Sequence, residues 1–190
     1  MTSIRLIWLA LCLLWISAEI WLLIKSRPDK LSLTHIEQNS RKRIWRSLLI
    51  GLGLAFWFKH LALAPIAIAY LPRQLLAMPL FAAGLGLRYN AIQQLGHLFT
   101  THVTIHQEHR LITEGLYHWI RHPTYTGLLL ALVAAGLAMG DFLALFALTV
   151  PAFWATTARI AIEEQMLENT FGKAYREYCN RSWKLLPWLF

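Results

Sequence analysis

Two short strings set ionisable side chains against apolar segments. The first, "YHWIRHPTYTG" (Tyr117–Gly127), runs straight into "LLLALVAAGLAMG". Arg121 and His122 are costly in lipid. Pro123 is ordinary at the first turn of a helix, where its missing N–H would lack a partner anyway. Arg121 reads as an interfacial anchor whose head snorkels to water. Neither explanation covers the grouping of Tyr117, His122 and Tyr125 around the proline. The N–H groups of such a first turn can also receive an anionic ligand group. The second string is "ARIAIEEQMLENTFGKAYREY". Arg159 and Glu163 stand four apart and share a helix face, with Glu164 beside them. A surface ion pair explains this blandly. An Arg at the end of an apolar span, facing a carboxylate, is also what an anion site at a membrane surface needs.

Other ionisable residues point less clearly. Six of the eight His lie between positions 97 and 122: His97, His102, His106, His109, His118 and His122. On a helix, His102 with His106, or His118 with His122, would share a face as metal ligands do. No Glu-x-x-His pattern accompanies them, so polar residues of an interfacial loop are the better reading and no metal is expected. Lys59, His60 and Glu19 lie inside apolar runs and stay without a role. Cys12 and Cys179 suggest neither a disulfide nor a metal site.

The elements that must position these residues follow from hydropathy. Hydrophobic residues make up 57% and charged residues 15%, with mean hydropathy +0.44, against about 45–50% and about 25% in soluble domains. The apolar residues fall in blocks long enough to span a bilayer. Five spans are predicted: Ile4–Ile24, about 47–70, about 74–94, Tyr125–Gly140 and Phe142–Ala158. The last two join at Gly140-Asp141 as a helical hairpin. The first is read as a retained helix rather than a signal peptide, since it is long, carries Glu19 and lacks a small-residue cleavage site. "GLGLAF" and "GLGLRY" do not follow strands, so their glycines are read as helix-packing positions. An amphipathic tail helix ends the chain. The fold class is all-α, a multi-pass membrane protein of one domain, with variable N-terminal helices over 1–95 and a core over 96–190.

The charge is +8. The basic residues lie between apolar blocks, seven of them in the first loop (Lys25, Arg27, Lys30, Arg41, Lys42, Arg43, Arg46). The positive-inside rule explains this better than nucleic acid does. With the N-terminus outside, all the basic segments, both strings included, face the cytoplasm. No nucleic-acid partner is expected, and the oligomeric state is left open.

"GLYHWIRHPTYTG" followed by "EEQMLENTFGKAYREYCNRSWKLLPW" resembles the isoprenylcysteine carboxyl methyltransferase family, over about residues 101–187. The family pattern is G-[VL]-Y-x-x-x-R-H-P-x-Y-x-G, then E-E-x-x-L-x-x-x-F-G-x-x-Y-x-x-Y and a late Pro. The resemblance implies an S-adenosylmethionine pocket open to the cytoplasm and a lipophilic methyl acceptor. By position it implies cofactor contacts at His109, Arg110, Leu111 and Ile112, at Tyr117, at His122, Pro123, Thr124 and Tyr125, and at Glu163. Arg159 matches the substrate-orienting Arg. Ile105 departs from a contacting Gln. The residue types suit the chemistry: a Glu can hold an ammonium or ribose hydroxyls, Tyr rings favour a sulfonium, and a carboxylate acceptor needs no strong base. A prokaryotic inner-membrane protein is expected. Alternatives are methylation of a phospholipid, amine or thiol, and a reductase resembling the C-terminal half of NADPH-dependent sterol reductases.

Overall fold

Apolar runs of this length leave no water to satisfy backbone groups, so they fold as helices that bond internally. The computed structural model describes residues 2–25, 35–96 and 111–187. Among these are seven helices and no strand: α1 Thr2–Lys25, α2 His35–Leu61, α3 Tyr70–Leu95, α4 Leu116–Trp119, α5 Pro123–Met139, α6 Phe142–Phe171 and α7 Lys173–Asn180. α1, α3 and α6 are long and apolar enough to cross a membrane, while α5 is a shorter apolar helix. The chain is an integral membrane protein. Leu14, Leu49, Leu75 and Trp154 are largely exposed along it, as lipid-facing side chains are.

Two glycines set the helix spacing. A Cβ on Gly84 of α3 would lie 2.7 Å from the Ala131 nitrogen, and one on Gly127 of α5 would lie 2.5 Å from the Gly84 carbonyl oxygen. The α3 and α5 backbones therefore touch. Gly51 brings α2 against Ala147 of α6 in the same way, whereas Gly53 and Gly86 have nothing within 4 Å. Only one glycine of each "GLGL" pair is thus a packing position, because residues two apart point away from each other on a helix. α1 docks through Trp8 and Trp15, whose rings meet the edge of fully buried Phe81 at 5.2 and 5.6 Å. Buried Gln74 accepts from Trp8 Nε1 at 2.5 Å and donates to the Ala138 carbonyl at 3.0 Å.

The hairpin forms at the expected residues. Gly140 closes α5 in a left-handed conformation, φ 82°, and Asp141 caps α6 by accepting from Ala144 N–H at 3.1 Å. Three boundaries differ from the sequence reading. The second helix covers 35–61 rather than 47–70, because polar helix formers such as Glu37, Gln38 and Lys42 extend it into the basic loop. Only eleven of its residues, 48–58, form an uninterrupted apolar run, and Lys59 and His60 lie in its last turn. Leu71-Pro72-Arg73, which falls between the second and third predicted spans, is the first turn of α3, where a proline is tolerated. The fifth span does not stop at Ala158: α6 continues to Phe171, a rod of about 45 Å. Arg159, Glu163 and Glu164 therefore ride on the same continuous helix as the apolar span. The tail helix is α7, which buries Tyr175 and Tyr178 on one side.

Candidate active site

The α6 rod carries Arg159 inward, 5% exposed. Its Nε–H is shared between the Tyr125 hydroxyl at 2.8 Å and Glu163 Oε1 at 2.9 Å. Tyr125, in the first turn of α5, donates its own hydroxyl to Glu163 Oε1 at 2.5 Å. Glu163 Oε2 faces His122 Nδ1 at 3.7 Å, and His122 Nε2 lies 3.3 Å from Glu164 Oε1. Lys184 Nζ and Glu164 Oε2 are 2.8 Å apart. Arg121 Nε also lies 3.2 Å from Glu164 Oε1, so two carboxylates, three cations and a buried histidine meet where α5 begins and α6 leaves its apolar stretch.

Arg159 and Tyr125 of this cluster line a cavity of about 440 Å³. Leu52, Leu128, Leu132 and Leu148, with Trp15 and Trp45, are part of its apolar lining. Arg159, Tyr125, Thr124, Glu19 and Arg88 supply its polar surface. The cavity is therefore a greasy slot with charge at one end, suited to an amphiphile whose head is anionic and whose tail is apolar.

The site rests on the tail. Backbone N–H groups of Arg121 and His122 donate to the carbonyls of Trp183 and Lys184 at 2.7 and 3.1 Å, and Thr126 Oγ1 donates to Leu185 at 2.7 Å. Arg121 does not snorkel. Its side chain is 11% exposed, donates to Glu164 at 3.2 Å and to the Cys179 carbonyl at 3.1 Å, and also bonds the Ser182 carbonyl. The first-turn N–H groups of Tyr125 and Thr126 both go to the His122 carbonyl, so they are engaged within the helix. Tyr117 is buried, its hydroxyl donating to Ala91 at 3.3 Å while its carbonyl accepts the Tyr178 hydroxyl at 2.6 Å. Burial pushes both phenols up, Tyr178 to about 12.

Of the sequence-predicted residues, His122, Pro123, Thr124, Tyr125, Arg159 and Glu163 come together. Tyr117 sits just behind them, against the end of α3. Leu111 and Ile112 lie half-buried in the irregular segment leading to α4. His109, Arg110 and Ile105 fall outside the described residues, as do His97, His102 and His106. His118 is exposed beside Trp119. Among the described residues no group of three or more His, Cys, Asp or Glu is placed to hold a metal.

Sequence reasoning missed Arg88 entirely and left Glu19 without a role. Arg88 grips Glu19 through two bonds, Nε to Oε1 at 2.7 Å and Nη2 to Oε2 at 2.8 Å. The signal available was an ionisable residue at membrane depth in each of two apolar helices, a pattern that calls for a partner.

The sequence model of the isoprenylcysteine carboxyl methyltransferase (ICMT) family matches residues 75–169. A probable protein-S-isoprenylcysteine O-methyltransferase of Oryza sativa subsp. indica is 34% identical over 105 residues, covering 54% of this chain and 55% of its own length. The protein-S-isoprenylcysteine O-methyltransferase of Schizosaccharomyces pombe is 28% identical over 178 residues, 84% of this chain and 73% of its own. Among solved structures, the eukaryotic intramembrane Ras methyltransferase ICMT superposes with a TM-score of 0.65 at 25% identity, over 94% of this chain and 64% of that one. The match to the rice protein spans only about half of that relative's length.

Proposed function

Because the chain belongs to the isoprenylcysteine carboxyl methyltransferase family, we propose that it is an S-adenosylmethionine-dependent methyltransferase that esterifies a lipophilic carboxylate at the membrane surface. The observation that carries this reading is that Arg159 and Tyr125, both bonded to Glu163, line an apolar cavity of about 440 Å³.

The residues present fit the cofactor. Glu163 suits an ammonium or a pair of ribose hydroxyls, and Tyr125 and Tyr117 are aromatic neighbours for a sulfonium. His109, Arg110, Leu111, Ile112, His122, Pro123 and Thr124 complete the proposed cofactor side. When bound, S-adenosylmethionine supplies an electrophilic methyl group. An acceptor carboxylate needs no base, so the chain's contribution is orientation and exclusion of water. Arg159 pairs with the acceptor carboxylate and aims one oxygen. Leu128, Leu132 and Leu148 hold the acceptor's apolar body, which enters sideways between helices.

An isoprenylcysteine-type carboxylate is the acceptor this reading favours. A small thiol would make little use of the cavity's apolar walls, and it would need a base that Arg159 is not. The placement of helices over 1–95 as the acceptor frame and residues 96–190 as the cofactor core belongs to the same proposal. So does a prokaryotic inner-membrane location with the site facing the cytoplasm. The basic loop supports that orientation, since the ends of α1 and α3 and the starts of α2 and α5 all reach the charged end of the cavity.

Calorimetric titration of the detergent-solubilised protein with S-adenosylhomocysteine should show binding that Glu163→Ala abolishes. Labelled methyl should pass from S-adenosylmethionine to a prenylated cysteine carboxylate. Undiminished affinity in the variant would remove Glu163 from the cofactor site, and a silent wild type would remove the methyltransferase reading.

A further inference from the structure

An ion pair inside membrane-spanning helices is costly, and apolar residues of the same volume often stabilise as well or better. Glu19 and Arg88 are such a pair, with side chains 16% and 11% exposed. Docking α1 does not require it, because Trp8, Trp15 and Phe81 already pack that helix against α3. Arg88 makes a third bond: Nη1 donates to the Thr124 carbonyl at 3.2 Å. It can reach Thr124 because Gly84 and Gly127 let the α3 and α5 backbones touch. Thr124 precedes Tyr125, whose hydroxyl lies 2.8 Å from Arg159 and 2.5 Å from Glu163. Trp15 Nε1 and the Tyr89 hydroxyl also donate to Glu19 Oε1, at 3.1 and 3.3 Å, so its carboxylate is held in one orientation.

On the methyltransferase reading above, we propose that Arg88 is a positioning residue of the transfer site. Oriented by Glu19, it fixes the first turn of α5 and so the direction of the Tyr125 hydroxyl between Arg159 and Glu163. α1, which lies outside the segment matched by the family, thereby becomes a working wall of the site. Both members of the pair also line the acceptor cavity, so its α1 side and its reacting end are mechanically joined.

Two variants test this in the full-length protein. In Glu19→Leu/Arg88→Met the pair becomes apolar, leaving no unpaired buried charge. In Arg88→Lys the charge opposite Glu19 remains, but the fork that reaches Thr124 at the same time is lost. The expected result for both is a kcat about tenfold or more below wild type, with affinity for S-adenosylhomocysteine changed by less than about threefold. A purely structural tether would move the unfolding midpoint and leave kcat of the folded protein alone. A folded variant of either kind that turns over at the wild-type rate overturns the proposal. A wild type that neither binds S-adenosylhomocysteine nor transfers methyl overturns it too, and marks the methyltransferase reading as the part that failed.

Discussion

At the end of the helices away from the cavity, Asp141 gives both carboxylate oxygens to the backbone: Oδ2 accepts from Ala64 N–H at 2.9 Å and Oδ1 from Ala144 N–H at 3.1 Å. Around it, Phe142 N–H donates to the Ala64 carbonyl and Ile66 N–H to the Gly140 carbonyl. At the opposite end, Glu163 takes its bonds from the side chains of Arg159 and Tyr125, with His122 nearby. Both carboxylates are held, but by different kinds of partner. A backbone donor cannot leave without unfolding the turn that holds it, whereas a side chain can rotate and take a new ligand. Arg159 and Tyr125, which hold Glu163, line the cavity of about 440 Å³, and Asp141 is not among its lining residues. A buried charge signals function when its partners are side chains from different helices facing open space, and structure when they are caps.

The largest effect should separate the two ends by activity. Arg159→Gln should lower methyl transfer by on the order of a hundredfold, as removal of a preorganised charged donor does, with a single-turnover assay as the measure. Wild-type transfer would place Arg159 with Asp141 as a structural group. Next, Asp141→Asn keeps one oxygen for capping but turns an amide toward Ala64 N–H. It should cost about 1 kcal/mol of stability in denaturant titration and leave kcat unchanged. Loss of kcat in the folded variant would show that the far end reaches the chemistry. The smallest effect concerns the layer beneath the site. Burial raises the Tyr178 phenol to about 12, above its ordinary 10.0. The stability it contributes is then complete below pH 10 and is lost as pH rises from there through about 12, because the unfolded chain releases that proton first. Tyr178→Phe should flatten part of this alkaline decline in the unfolding midpoint, and an unaltered decline would remove Tyr178 as its source.

Local spacing made part of the site legible. Arg159 and Glu163 are one helical turn apart, so any helix through them brings them together. Pro123 and Gly140-Asp141 mark the start of α5 and the hairpin tip through their own backbone preferences. Element ends were less legible where the apolar pattern ran past them. Tyr70 continues the hydropathy of the second block, yet it opens α3, because the chain leaves α2 after Leu61 and turns through Ala62 at φ 48°. Arg121 looked like a membrane anchor because the tail stretch that covers it lies about sixty residues later. Glu19 and Arg88 are 69 positions apart, and no periodicity relates them.

The sequence by itself determined that the chain is helical and membrane-embedded, that its charged strings sit at the ends of apolar segments, and which motif residues belong to the family's pattern. Those properties follow from composition and from spacings within a turn or two of helix. Tertiary structure alone decided that α1 and α2 wall the cavity, that the tail holds Arg121 and His122 in place, and that Arg88 reaches Thr124. These depend on which helices touch, and here that is set by backbone contacts at Gly51, Gly84 and Gly127. A glycine is readable in a sequence, but the partner it admits is not.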